Sequence, residues 1–395
     1  MKKIKYLLPI LIILLTGCTN YQELTDIAIT TAIAVDYSPE TNEYTLITQV
    51  VNAVKQDNAS SSNEPTFINF SSTSSSLTEA IDKIVLESPR KLYTAQTQVI
   101  ILSKEIISNH LDEVLDYFIR NPEIRGETLV ILAPDKEDLQ GITIQTLLDN
   151  LSSSNIISSL EESEKKGYTT SIKLDDLLDM YLNPYKEIIL PTIYVEGNKN
   201  IGSEEENKTS TIYKETVKIG NISIFKDNTF QDYLSLDNGK YLNIIKGKLT
   251  DTPLKLPYKD GYIVYELYDI KSKLTPNTKS NSITLTIKGK AKSYEIITNT
   301  NIENTKETKD IQEYLNRSLE NNITTFFNSI RNKYNTDIFN FRDTYYKDNP
   351  KYLKNNYNNW YKDIYPKLNF KVKSKLELYE KGKIKEEIKY VKENR

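Results

Sequence analysis

The side chains able to do chemistry are few, and the sharpest of them is Cys18, the only cysteine in 395 residues. A thiol is a nucleophile, and the small Thr16 and Gly17 before it leave room for an enzyme to reach it. Lys2, Lys3 and Lys5 form a positive n-region, and Tyr6 to Leu15 is an apolar run broken only by Pro9. That run is shorter than the roughly 20 residues a transmembrane helix needs. It reads as an export signal over residues 1–17, with Cys18 first after processing. A lone cysteine allows no disulfide within one chain, so the exported part must be held by its core.

The other candidates lead to little chemistry. His110 is the single histidine. One His without Cys partners builds no standard zinc site, and as a general base it would need an orienting carboxylate and a nucleophile beside it. The pattern places it on the solvent side of a helix. No G-x-S-x-G, H-E-x-x-H, Walker A or Rossmann fingerprint is present. Glu161-Glu162 and Asp175-Asp176 sit in charged stretches, where adjacent acids on a helix diverge by about 100°. Asp237-Asn238-Gly239 reads as a turn, because the spaced ligand ladder of a calcium loop is missing. The residues therefore argue against an enzyme and supply no catalytic, cofactor-binding or metal set.

Composition agrees with an exported globular protein. The net charge is −3, and without the three signal lysines it falls to near −6, with 48 basic residues against 54 acidic. Such a balance carries no electrostatic footprint for nucleic acid. Tyrosine is used 28 times against ten Phe and one Trp; it combines apolar bulk with a polar tip and suits strand faces and interfaces.

The elements that would position these residues follow from periodicity. Alternation from Ile27 to Val35 and from Tyr44 to Val51, around Ser38-Pro39 and Asn42, predicts a hairpin. The Ser-rich stretch 60–76 reads as a loop with a short strand at Phe67, Ile68 and Phe70. Ser76-Leu77-Thr78-Glu79 predicts a capping box, followed by a helix with Leu77, Ala80, Ile81, Ile84 and Val85 on one face. Val99 to Leu102 is a buried strand. One helix from Ser103 follows, burying Ile107, Leu111, Val114, Leu115 and Phe118, and then a strand over 127–133. Residues 147–181 read as helical with a break near 161–167, 188–195 as a strand, and 197–211 as an exposed loop. Val217 to Phe225 and Phe230 to Leu236 flank a turn at Lys226-Asp227-Asn228. Tyr262 to Ile270 and Ser282 to Ala291 are long strands. A long helix buries Ile311, Leu315, Leu319, Ile323, Phe326, Phe327, Ile330 and Tyr334. A second helix is expected around Phe341, Tyr345 and Tyr346, and a final strand over 369–378. The sum is an α+β chain of three successive mixed α/β domains with largely antiparallel sheets, over 18–140, 141–255 and 256–395.

Several segments carry a resemblance. Leu15-Thr16-Gly17-Cys18 resembles the lipobox of bacterial lipoproteins, in which the thiol receives a diacylglyceryl group. Asn20 to Ile29, Ser88-Pro89-Arg90-Lys91-Leu92-Tyr93, the run from Asp116 to Arg125, Ile224-Phe225-Lys226-Asp227-Asn228, Asp337-Ile338-Phe339-Asn340-Phe341, Trp360 and Tyr365-Pro366 are together similar to the Ger(x)C family. These are the lipoprotein C-subunits of nutrient germinant receptors in endospore-forming bacteria. Thr19-Asn20 stands where a Trp-Asp pair is common, and Asn340 where the family has Gly; Asn tolerates the left-handed conformation. The motif residues themselves read as fold determinants: Arg120 and Arg125 as surface partners of Asp116 and Glu123, Phe339 and Phe341 as core.

The resemblance implies a non-catalytic subunit anchored to the lipid bilayer through Cys18, on the outer face of the spore inner membrane. It implies assembly with the membrane-embedded A and B subunits, a role in nutrient-triggered germination, and no cofactor. The competing reading, a solute-binding lipoprotein of a transporter, predicts two Rossmann-like lobes with regular strand–helix alternation.

Overall fold

The computed structural model describes residues 26–52, 65–198, 201–209, 211–212, 214–298 and 305–380; Cys18 and the expected export signal over 1–17 lie outside the described residues. The chain is mixed α/β, built on a nine-stranded and a four-stranded sheet.

The first sheet starts with the expected hairpin, β1 (Ile27–Ser38) and β2 (Glu43–Val51), with Asn42 at positive φ in the turn. The alternation on β1 predicted one strongly buried face; both faces are buried. Ile33 and Val35 enter the main core, while Ala32 and Ala34 face a second apolar cluster with Leu139 and Ile142. Alanine on that face leaves room for the 3₁₀ segment Lys136–Thr143 to lie directly on the sheet. β3 (Phe67–Ser74) is a full strand against β2 rather than a short insertion. The helix α1 (Leu77–Lys83) is capped by half the expected box: Ser76 accepts from the Glu79 amide at 3.2 Å, but the Glu79 carboxylate turns to Lys83 instead of back to the cap.

β4 (Lys91–Tyr93) and β5 (Val99–Ser103) then pair in parallel with β1. The single helix expected after Ser103 is two, α2 (Lys104–Asn109) and α3 (Leu111–Arg120), broken at His110. They cross over to β6 (Leu129–Ala133), parallel to β5. α4 (Ser152–Lys165) and α5 (Leu174–Leu182) carry the chain to β7 (Ile189–Gly197), which adds to β6 in parallel. The polar tract after it is not all loop: Glu205–Thr209 forms a short helix, α6, ordered by the buried Asn207, whose amide donates to the Gln145 and Glu215 carbonyls. β8 (Glu215–Lys226) and β9 (Thr229–Tyr233) finish the sheet as the expected hairpin. The centre of the sheet is thus parallel and covered on both faces, and its two wings are antiparallel, as crossover and hairpin connections respectively require. Hydrogen bonding is continuous past residue 140, through Leu132 and Thr192.

Asp237-Asn238-Gly239 is not a turn. It is the first turn of α7 (Leu236–Ile245), capped by Ser235. Glycine is required here because a Cβ at 239 would stand 2.5 Å from the Tyr168 carbonyl oxygen.

β10 (Thr252–Tyr258), β11 (Gly261–Asn277) and β12 (Ser282–Ile297) form an antiparallel meander. The 30-residue α8 (Thr305–Tyr334) returns the chain to β13 (Asn369–Glu380), parallel to β12. Its apolar stripe is buried as read from the sequence, with Tyr334 half-buried. α8 also closes the free edge of β13. The amides of Ser374, Leu376 and Leu378 donate to Glu320, Asn316 and Gln312 at 2.6, 2.8 and 2.9 Å, three side chains spaced one helical turn apart. An edge that would otherwise template pairing with another chain is thereby occupied. One face of the first sheet and the buried side chains of the second belong to one continuous apolar cluster, so the two halves share a core.

Candidate functional site: a buried polar junction between the sheets

Four of the motifs read from the sequence meet at one place. The β8–β9 turn carries Phe225 to Asn228, with Asp227 and Asn228 both at positive φ. Against it packs the segment Thr336–Asn340, which leads from α8 into α9 (Phe341–Asp348). The Thr336 hydroxyl donates to the Phe225 carbonyl at 3.3 Å and the Tyr365 hydroxyl donates to the Thr336 carbonyl at 2.8 Å. Asp337 is buried and accepts from the amides of Phe341 and Arg342 at 3.1 and 2.6 Å, so its carboxylate satisfies two of the free N–H groups at the start of α9. Asn340 is left-handed, φ 61° and ψ 34°, which accounts for Asn in a place where the family pattern has Gly.

Below this loop lie Phe339 and Phe341, stacked at 5.2 Å and fully inside the core as expected. Trp360 opens a π-turn, Trp360–Ile364, and stacks on Tyr365 at 5.9 Å. Two side chains that motif reading missed complete the junction. Glu187, just before β7, accepts from the Asp227 amide at 3.3 Å and from the Tyr361 hydroxyl. Lys246, after α7, donates to the Ile338 carbonyl at 3.2 Å. Their only trace in the sequence is a charge placed against an apolar run, Glu187 before Ile188-Ile189-Leu190 and Lys246 after Ile244-Ile245. The Arg342 guanidinium lies over the Tyr357 ring at 4.1 Å and donates to its carbonyl at 3.0 Å.

Burial sets the electrostatics. It pushes the Glu187 carboxyl up to about 7 and Asp337 up to about 6, although hydrogen bonds from Tyr361 and the backbone oppose it. Burial likewise pulls the Lys246 ammonium well below the usual lysine range, and a second lysine, Lys248, adds to the effect. A carboxyl whose pKa is raised by folding binds its proton more tightly in the native state. Its contribution favours folding at low pH and is lost as pH rises through the folded value. Lys246 acts in the opposite sense, adding stability as pH rises above neutrality. Glu187→Gln removes the titration while keeping the shape. Between pH 4.5, the ordinary value, and about 7.5, the wild type is expected to lose about 3 kcal/mol more stability than the variant. Urea midpoints at the two pH values check this; equal slopes would place Glu187 in water.

The N-terminal motifs form a second cluster. Asp116 accepts from the Arg120 Nε at 2.7–2.8 Å, the surface pair read from the sequence. The expected Glu123–Arg125 pair is replaced by another contact: Glu123 accepts from the amide and hydroxyl of Thr94, at 3.0 and 2.9 Å, and ties the α3–β6 loop to the end of β4. Tyr44, Ser76, Glu113, Asp116, Tyr117 and Arg120 line a surface groove of about 460 Å³. His110 is not on the solvent side of a helix. It caps the break between α2 and α3, its side chain is 18% exposed, and its ring lies 3.6 Å from that of Tyr37. Glu105 and Glu113 approach it at 4.0 and 3.8 Å. Among the described residues, no group of three or more His, Cys, Asp or Glu could hold a metal ion, and no helix is long and apolar enough to cross a membrane.

Comparison with known proteins assigns this arrangement. A family model for the spore germination protein N-terminal domain matches residues 20–195, and one for the spore germination B3/GerAC-like C-terminal region matches residues 220–382. The chain belongs to the Ger(x)C family of spore germination proteins. Among Ger(x)C relatives in Bacillus subtilis (strain 168), it is similar to spore germination protein KC, 24% identical over 92% of this chain and 91% of that protein. It is also similar to putative spore germination protein YfkR, 22% identical over 87% and 88%. The fold matches the crystal structure of the GerBC protein with a TM-score of 0.53 at 16% identity, over 88% of this chain and 96% of that one. The buried junction thus joins the β8–β9 turn, inside the C-terminal Ger(x)C match, to Glu187, inside the N-terminal one.

Proposed function

We propose that this chain is the lipid-anchored subunit of a spore nutrient germinant receptor, held at the outer face of the spore inner membrane by a diacylglyceryl group on Cys18. In this reading it assembles with the membrane-embedded A and B subunits, couples nutrient sensing to germination, and catalyses nothing. The observation that carries it is the ordered match of both Ger(x)C family models along nearly the whole chain, beginning two residues after the lipobox cysteine. The shared core and the buried polar junction support a rigid body that transmits force between contacts. The middle stretch, 141–255, serves as a bridge: β7–β9 extend the first sheet, and the Lys246 end of α7 touches the Asp337 loop. A transporter-type solute-binding protein fits less well, because the antiparallel wings and the long β11–β12 hairpin differ from two alternating lobes.

The test is assembly. An affinity-tagged chain recovered in mild detergent from spore inner membranes is expected to bring with it a multi-spanning A-type subunit and a permease-like B subunit. Recovery of the tagged chain alone, or with transporter components, would count against this reading.

A further inference from the structure

The tether in the proposed anchor is short, and this constrains which end of the protein meets the bilayer. Eight peptide links separate Cys18 from Asp26, and fully extended they reach at most about 28 Å. β1 then runs twelve residues from Ile27, roughly 40 Å at strand rise. The Ile27 end of the first sheet is held within one tether length of the lipid, and the Ser38 end can stand beyond that reach.

The Ile27 end carries an unusual surface. Lys91 lies directly opposite Ile27 in the parallel β1–β4 ladder. The segment leading into it turns at Ser88, whose amide donates to the Ile84 carbonyl at 2.8 Å and whose hydroxyl donates to the Arg90 carbonyl at 2.9 Å. Ile84 goes into the core, but Val85 and Leu86 are held out, 62% and 82% exposed. The helical stripe had placed Val85 inward; the switch to 3₁₀ geometry at Ile84–Leu86 rotates it to the surface. Arg90, half-buried, and the exposed Lys91 follow beyond the Ser88 turn. Arg125 is exposed on the adjacent loop that Glu123 ties to Thr94. Adjacent bulky aliphatic side chains beside basic ones suit a headgroup boundary, where the aliphatic groups enter the acyl region and the cations meet anionic lipid. Asp26 and Glu87 are also exposed at this end, so the net charge is small and the aliphatic pair supplies most of the attraction.

We propose that Val85, Leu86, Arg90, Lys91 and Arg125 form a membrane-contacting patch that seats the Ile27 end of the protein on an anionic bilayer. The patch is a second contact beside the lipid anchor, and the proposal rests on the reading of Cys18 as that anchor. Its effect is orientation: the protein stands end-on, with the Pro39–Asn42 turn directed away from the lipid.

A nitroxide on the exposed position 86 tests this. In the full-length acylated protein Cys18 is blocked, so Leu86→Cys supplies the one free thiol; Glu40→Cys, in the exposed turn after β1, is the control. Both are reconstituted in vesicles of equal parts phosphatidylcholine and phosphatidylglycerol and recovered by flotation. The ratio of oxygen to nickel-chelate accessibility is expected to be several-fold higher at position 86 than at position 40. Equal, water-like ratios in floating protein would overturn the patch and leave the anchor standing. Protein that fails to float would remove the anchor, and the patch with it.

Discussion

A chain carrying Cys18→Ala is expected to accumulate as an unprocessed precursor, take up no labelled fatty acid, and fail to support nutrient germination. The expected loss is close to complete. The cysteine is the only thiol in the sequence, so no other residue can accept the diacylglyceryl group. Two acyl chains give stable membrane attachment where a single chain is marginal. Attachment matters because a tethered protein meets its partners at a raised effective concentration, so contacts too weak to hold in solution suffice at the membrane. Labelled palmitate incorporation together with the size of the protein on a gel measures the effect. A variant that is still labelled and still cut would place the modification elsewhere.

The second large effect is expected at Asp337. Asp337→Ala removes the acceptor for two buried amides, those of Phe341 and Arg342, and with it the cap of α9. Leaving those groups unpaired in the core is expected to cost about 3 kcal/mol. Asp337→Asn keeps one oxygen in place and should recover part of that. Its loss is further limited because burial already raises the Asp337 carboxyl to about 6, so the native site pays to hold the charge near neutral pH. Urea denaturation of the three proteins at pH 7 ranks them wild type, Asn, Ala. An Ala variant as stable as the wild type would mean that the loop is held by its aromatic packing alone.

What the sequence disclosed and what it withheld divide along physical lines. Strong periodicity carried β11, β12 and the long α8, because each of these elements buries a regular stripe, while the β1–β2 and β8–β9 hairpins were marked by their turn residues, Asn42 and Asp227-Asn228. The positive φ of Asn340 was legible because a single residue type in a motif reported it. The His110 break was not, since Ile107 to Phe118 kept an uninterrupted apolar rhythm across it and the His110 ring packs against Tyr37, a residue distant in sequence. α7 was hidden because Asp-Asn-Gly is common turn chemistry, and only the approach of the Tyr168 carbonyl explains the glycine. The same applies to Glu187 and Lys246. Their role comes from contacts with residues 227 and 338, distant in sequence, and local patterns hold no record of such partners.

The central claim, that this chain is a coupling subunit of a nutrient receptor, is tested most directly by germination of spores lacking its gene, in a strain without a redundant receptor. Loss of optical density on addition of the cognate nutrient is expected to be abolished. Germination by agents that bypass receptors should proceed normally, and the wild-type gene should restore the nutrient response while the Cys18→Ala gene does not. Normal nutrient germination of the deletion spores would contradict the account.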